Sequence, residues 1–304
     1  MRERDVKTIA AGFAAPESAR WFDGALWFVD QERRTVNRLT DDGVDELTGF
    51  ARPMSIGFRP DDDLLVADID TPMATSTLHV YRQGHRVDSI DLSEFGPAND
   101  MTVDRQGRAY IDVFRPPRRD DEEAMSRWEP VGQVLLVPVD GEPRVVAEDI
   151  TAANGIGISP DGRTLVVGET WRPDGAFADT RLFGFDVATD GSLSHRRVIA
   201  TVADGCCDGL CFDAEGAVWL STASGGEVLR VLDGVVVDRV RLPDEKWPLA
   251  CALGGPDMTT LYICAVTPPP SADPQVFPSG WDLSAICEGF IEAVDVHVPG
   301  VDLV

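Results

Sequence analysis

Pro160-Asp161-Gly162-Arg163-Thr164-Leu165-Val166 reads as a tight turn feeding a β-strand: an Asp-Gly pair at the turn, then a β-branched and aliphatic run. The element recurs as Asp23-Gly24-Ala25-Leu26-Trp27-Phe28-Val29, Pro60-Asp61-Asp62-Asp63-Leu64-Leu65-Val66 and Asp104-Arg105-Gln106-Gly107-Arg108-Ala109-Tyr110. It recurs again as Asp213-Ala214-Glu215-Gly216-Ala217-Val218-Trp219 and Pro256-Asp257-Met258-Thr259-Thr260-Leu261-Tyr262. Six copies at roughly 40 to 55 residues predict a radially repeated all-β fold, a six-bladed β-propeller. Blade limits fall near residues 50, 95, 148, 200 and 246, and residues 1–304 read as one propeller domain. The segment at about residues 6–12 can add an outer strand to the last blade and close the ring, which removes exposed sheet edges.

The turn position held by Gly107, Gly162 and Gly216 serves as an alignment point. Eight residues before it stand Asn99, Asn154 and Asp208. With one residue fewer, the first copy places Glu17 there, and the remaining two copies place Met54 and Ala250. The innermost strands of a propeller line a central channel, so equivalent inner-strand positions converge on the axis. Glu17, Asn99, Asn154 and Asp208 together offer only hard oxygen donors. That set suits Ca²⁺ or Mg²⁺, admits Mn²⁺ or Zn²⁺, and disfavours soft-metal chemistry.

Composition narrows the partners. A formal net charge of −25 argues against nucleic acid or an anionic membrane surface. No stretch approaches the roughly 20 apolar residues of a membrane span, and no apolar signal region follows Met1-Arg2-Glu3-Arg4. These readings lead to the expectation of a cytoplasmic protein with a small-molecule substrate. Cys206, Cys207, Cys211, Cys251, Cys264 and Cys287 lack the spacing of a zinc site, and the default is reduced, mostly buried thiols. His79, His85, His195 and His297 are scattered, and no Gly-x-Ser-x-Gly elbow or GxGxxG loop is present. Asp120 to Trp128, flanked by prolines, reads as an inserted surface loop over one channel mouth, and Thr267 to Pro274 as a second loop in the last blade.

Five segments carry a family resemblance. Pro16-Glu17 followed by Trp21, Asn99-Asp100-Met101-Thr102-Val103-Asp104-Arg105-Gln106-Gly107-Arg108, and Asn154-Gly155-Ile156-Gly157-Ile158-Ser159-Pro160-Asp161-Gly162 resemble motifs of the SMP-30/gluconolactonase family. Asp208-Gly209-Leu210-Cys211-Phe212-Asp213-Ala214-Glu215-Gly216-Ala217-Val218-Trp219 and Leu253-Gly254-Gly255-Pro256-Asp257 resemble two more. The family includes regucalcin, bacterial lactonases and a fluorophosphatase. The resemblance implies one divalent cation in the channel, held by Glu17, Asn154 and Asp208, with Asn99 beside it touching substrate or water. It also marks two departures. Pro97 stands where sugar-lactone enzymes usually carry an arginine that binds substrate hydroxyls, and Glu17-Ser18-Ala19 replaces Glu-Gly-Pro.

The expected activity is therefore metal-dependent hydrolysis of a small, non-sugar lactone or related ester. Asp208 and Asn99 are the expected catalytic residues: Asp208 as ligand and base, with a metal-activated hydroxide as the competing base, and Asn99 as the group that orients water or substrate. Glu17, Asn154, Asp208 and Asn99 form the expected metal set. Met54, Trp171, Cys207 and Cys251 are candidates for the pocket wall. The competing readings are a metal-binding or sensory propeller without turnover, an organophosphate hydrolase on the same site, and a non-hydrolytic enzyme of the strictosidine synthase-like kind.

Overall fold

The computed structural model describes residues 4–70, 75–115, 131–151, 153–169, 180–203, 205–267 and 287–301. Asp120 to Trp128, Trp171 and residues 268–274 lie outside them. Among the described residues twenty-four strands form six four-stranded antiparallel sheets, each laid out from an inner to an outer strand. The first five sheets are β2(Pro16–Phe22) to β5(Gly43–Leu47), β6(Pro53–Phe58) to β9(His85–Asp91), β10(Ala98–Val103) to β13(Arg144–Thr151), β14(Ala153–Ile158) to β17(Leu193–Val202), and β18(Cys207–Phe212) to β21(Val235–Arg241). The sixth contains β22(Trp247–Gly254), β23(Thr260–Val266) and β24(Gly289–Asp295), and its outer strand is β1(Lys7–Phe13) from the chain start. The chain is a six-bladed β-propeller, and its ring is closed by pairing of β1 with β24.

The repeated turns explain the regularity. Gly107, Gly162 and Gly216 take positive φ at the aligned position, and so do Asp62 and Met258 in the two copies without glycine there. In these five copies the N–H of this residue donates to the carbonyl three residues earlier, across 2.8 to 3.0 Å. The turn geometry therefore persists where the glycine does not, held by the same hydrogen bond.

Apolar side chains fill the space between neighbouring blades. Leu65 and Leu78 of the second blade meet Met101 and Ile111 of the third, and five further clusters of this kind complete the circle. Outer strands face water on both sides, as the exposed run along β9 shows. At the closure point Lys246 Nζ donates to Glu292 Oε1 at 2.7 Å, Thr8 donates to the same carboxylate at 2.9 Å, and Phe290 covers the ammonium group.

Candidate metal centre in the propeller channel

Glu17, Met54, Asn99, Asn154 and Asp208 are each the second residue of their inner strand, and each is partly exposed between buried neighbours. Pairing with the next strand breaks at this place in all six blades, between Glu17 and Arg20, Pro53 and Ser55, Ala98 and Met101, Ala153 and Ile156, Cys207 and Leu210, and Pro248 and Ala250. A bulge releases a residue from the ladder and re-aims its side chain. In the second to sixth blades the shift leaves Met54, Asn99, Asn154, Asp208 and Leu249 out of the ladder, whereas in the first blade Glu17 still pairs with Val29 and the shift directly follows it. In the sixth blade the bulged residue is Leu249, whereas Ala250, the residue chosen by counting back from the turn, pairs with Cys264. The sixth position remains apolar.

The structure brings the four oxygen-bearing residues together. Asn99 Nδ2 donates to Asn154 Oδ1 at 3.0 Å. The Asn154 amide and the Glu17 carboxyl both reach the Asp208 carboxyl. Backbone N–H groups hold the two acids in place: Ser18 donates to Glu17 Oε2 at 3.0 Å and Gly209 to Asp208 Oδ1 at 3.1 Å. Gly155 permits this convergence, since its φ is +74° and a Cβ there would meet the Asp208 carbonyl oxygen at 2.2 Å.

Burial, and then the nearby Asp100 carboxylate, push Glu17 up to about 8. Burial, followed by repulsion from Glu17 and Asp100, drives Asp208 well above the usual carboxylate range. Asp112 is also raised well above its usual range, by burial first and Asp100 second. Four carboxyl groups thus surround the channel floor, and Arg20 is the guanidinium among them: it donates to Asp100 Oδ1 at 2.9 Å, to the Ala19 carbonyl at 2.7 Å and to the Met101 carbonyl. Asp100 Oδ2 and Asp112 Oδ2 are buried and accept no hydrogen bond from the described residues. A cluster of carboxyl groups that burial and mutual repulsion keep from ionising, with oxygen donors converging beside it, fits a hard divalent cation, whose charge would offset the cost of ionising them. Among the described residues no three His, Cys, Asp or Glu side chains form a cage, because half of the converging donors are asparagines.

Arg20, Asp100 and Asp112 were not among the residues singled out from sequence. Asp112 carried a usable signal, a lone carboxylate within the apolar run Ala109-Tyr110-Ile111-Asp112-Val113. The Arg20–Asp100 pair carried none, being 80 residues apart.

Among the expected pocket residues, Met54 joins the ring of bulged positions. Cys207 is fully buried behind Asn154, its thiol 3.2 Å from the Asn154 carbonyl. Cys251 lies in the core between the fifth and sixth blades, 3.8 Å from the Cys211 thiol. A cavity of about 110 Å³ opens at the opposite ends of the inner strands, lined by Arg20, Trp21, Phe58, Leu210, Met258 and Val301 among others. Arg20 stands between it and the acidic floor.

The SMP-30/gluconolactonase/LRE-like region family matches residues 15–267. The chain belongs to this family. It is 32% identical over 212 residues, 68% of its length, to the 6-deoxy-6-sulfogluconolactonase of Pseudomonas putida, and the match spans 65% of that protein. It is also 32% identical to Danio rerio regucalcin over 171 residues, 54% of this chain and 52% of the relative. In three dimensions it is similar to the calcium-binding protein regucalcin of Agrobacterium tumefaciens, with a TM-score of 0.73, 19% identity, and coverage of 98% of this chain and 96% of that one. The last likeness establishes the fold. Membership of the SMP-30/gluconolactonase/LRE-like family places the converging residues on the inner strands of a family propeller.

Proposed function

We propose that this chain is a metal-dependent lactonase acting on a small lactone that lacks the hydroxyl pattern of a sugar. The observation that carries the reading is the convergence of Glu17, Asn99, Asn154 and Asp208 on one channel position, beside buried carboxyl groups whose ionisation a bound cation would favour. The similarity to a sulfogluconolactonase supports ester hydrolysis as the reaction class. Glu17, Asn154 and Asp208 would hold the ion, with Asn99 beside it. A divalent cation bound there supplies Lewis-acid polarisation of the ester carbonyl.

The chain's own groups divide the remaining work. Glu17 and Asp208 are pinned by backbone N–H groups, so their oxygens stay in place through the reaction. Asn99 spends its amide group on Asn154, which leaves its carbonyl oxygen to orient water or substrate. Asp208, whose surroundings raise its proton affinity, is the group placed to take the proton of an attacking water. Pro97 is buried and carries no hydrogen-bond donor, so no side chain at that position can clamp sugar hydroxyls.

The test is a panel of aliphatic lactones, gluconolactone and a fluorophosphate, assayed with Ca²⁺, Mn²⁺ or Zn²⁺ added to metal-stripped protein. Turnover of aliphatic lactones that is lost on chelation and in Asp208→Ala is the expected result. Preference for gluconolactone would overturn the substrate reading. Metal binding with no turnover anywhere on the panel would leave a binding propeller in place of an enzyme.

A further inference from the structure

We propose that Cys211 and Cys251 form a site of reversible oxidation, where a hydroperoxide entering the lower cavity makes a disulfide between the fifth and sixth blades. Their thiols stand 3.8 Å apart on neighbouring inner strands, Cys211 on β18 and Cys251 on β22. Cys211 lines the cavity at the end of the channel opposite the oxygen donors. The site is therefore separate from the metal centre.

Two features of the strands set the separation. A Cβ on Gly209 would meet the Ala250 Cα at 2.8 Å, so β18 and β22 are in backbone contact next to the two thiols. Cys251 Sγ also donates to the Trp219 carbonyl at 3.5 Å, and Trp219 in β19(Val218–Thr222) is the ladder partner of Cys211. The Cys251 sulfur is thus held against the strand pair that carries Cys211. A disulfide needs about 2.05 Å between its sulfurs, so the thiols must approach by about 1.8 Å, shared between two side chains.

Access differs between the two partners. Cys211 is partly exposed, whereas Cys251 is buried in the interblade core. The cavity holds about 110 Å³, against about 30 Å³ for one water, so it admits a molecule the size of hydrogen peroxide. The Cys211 sulfur attacks a peroxide oxygen, the O–O bond breaks, and the thiol proton leaves with the departing oxygen as water, giving a sulfenic acid. The Cys251 sulfur then attacks the Cys211 sulfur. An S–S bond forms, the S–O bond breaks, and the Cys251 proton leaves with the hydroxide as a second water. Two thiols lose two electrons and one peroxide gains them. The Cys251 thiol and burial hold Cys211 well above the usual thiol range, so thiolate is scarce and the bond forms under sustained oxidation.

The test is prolonged incubation of the full chain with hydrogen peroxide, followed by alkylation under denaturing conditions and tryptic digestion without reductant. Trypsin leaves Cys211 on peptide 198–230 and Cys251 on peptide 247–304, because no Lys or Arg interrupts either stretch. The expected product is these two peptides joined, two hydrogens lighter than the separate pair and parted again by dithiothreitol. The bond closes a span of 40 residues, so the oxidised protein should melt at least about 5 °C higher, and dithiothreitol should reverse the rise.

Each peptide carries three cysteines, and single variants separate them. The joined product should vanish in Cys211→Ala and in Cys251→Ala, and persist in Cys206→Ala and Cys264→Ala. If a variant fails to fold, fragmentation of the joined peptides from the parent locates the bond directly. Six alkylated cysteines after oxidation, sulfinic acid in place of the link, or a link through another cysteine overturns the proposal. A bond between Cys211 and Cys251 that leaves the melting temperature unmoved overturns its role in tying the two blades together.

Discussion

Asn99 and Asn154, on the inner strands of adjacent blades, are joined by a 3.0 Å hydrogen bond across the blade boundary. Their backbones are 55 residues apart, and the bond exists because both strands bulge at the same step. The bond makes the two amides one unit, with Asp208 at its far end.

Asn154→Ala removes the central member of that unit and one of the oxygen donors. Elemental analysis of purified protein, and calorimetry with Ca²⁺, should show metal content and affinity reduced by at least tenfold. Melting of the metal-free protein should change little, because the side chain is partly exposed and packs no core. Unchanged metal content would remove Asn154 from the ligand set.

Stability should depend on pH through the acid pair. Glu17 holds its proton up to about 8 in the folded chain, against an ordinary value of 4.5. Between those pH values the folded chain binds more protons than the unfolded chain, so metal-free stability falls as pH rises through this window and levels off below it. Asp208 shifts in the same direction and adds to the fall. Saturating Ca²⁺ should cancel the trend, and its affinity should rise with pH over the same range. Melting temperatures at pH 5, 6, 7 and 8, with and without Ca²⁺, check both signs.

Gly155→Ala tests the close approach of two inner strands. A methyl group there would sit 2.2 Å from the Asp208 carbonyl oxygen, on a backbone at φ +74°. The strain should move the Asp208 strand and cost metal affinity, along with about 1–3 kcal/mol of stability by chemical denaturation. Stability and affinity equal to the parent would mean that the fourth and fifth blades can separate at no cost.

Ring closure depends on a buried ion pair. Lys246→Met leaves Glu292 fully buried with only the Thr8 hydroxyl, and should cost roughly 3–5 kcal/mol. The double variant Lys246→Met, Glu292→Leu removes the orphaned charge and should recover part of that loss. Urea denaturation of the two variants and the parent measures the coupling. A double variant less stable than the single one would assign the closure energy to the pair itself.

Much of the site was legible along the chain because a propeller repeats. Equal offsets from equal turns become equal heights in the channel, which is why Glu17, Asn99, Asn154 and Asp208 could be named together. The sixth blade shows where counting slips: one shift in the strand ladder exchanges Ala250 for Leu249 at the bulge. Cys207 precedes Asp208 directly and Cys251 lies two residues after Leu249, yet both side chains are packed in interblade cores.

The sequence by itself determined the six-bladed ring and singled out the four oxygen-bearing residues that converge in it, since both follow from local turn chemistry repeated at even intervals. Only the tertiary structure decided what lies beneath the donors. Arg20, Asp100 and Asp112 come from two blades, and they meet because ring closure carries β2 and β10 to a common axis. Their consequence, a buried acidic floor, depends on desolvation and through-space repulsion, which no spacing along the chain records. The turn repeat located the site, and burial raised the proton affinity of its acids.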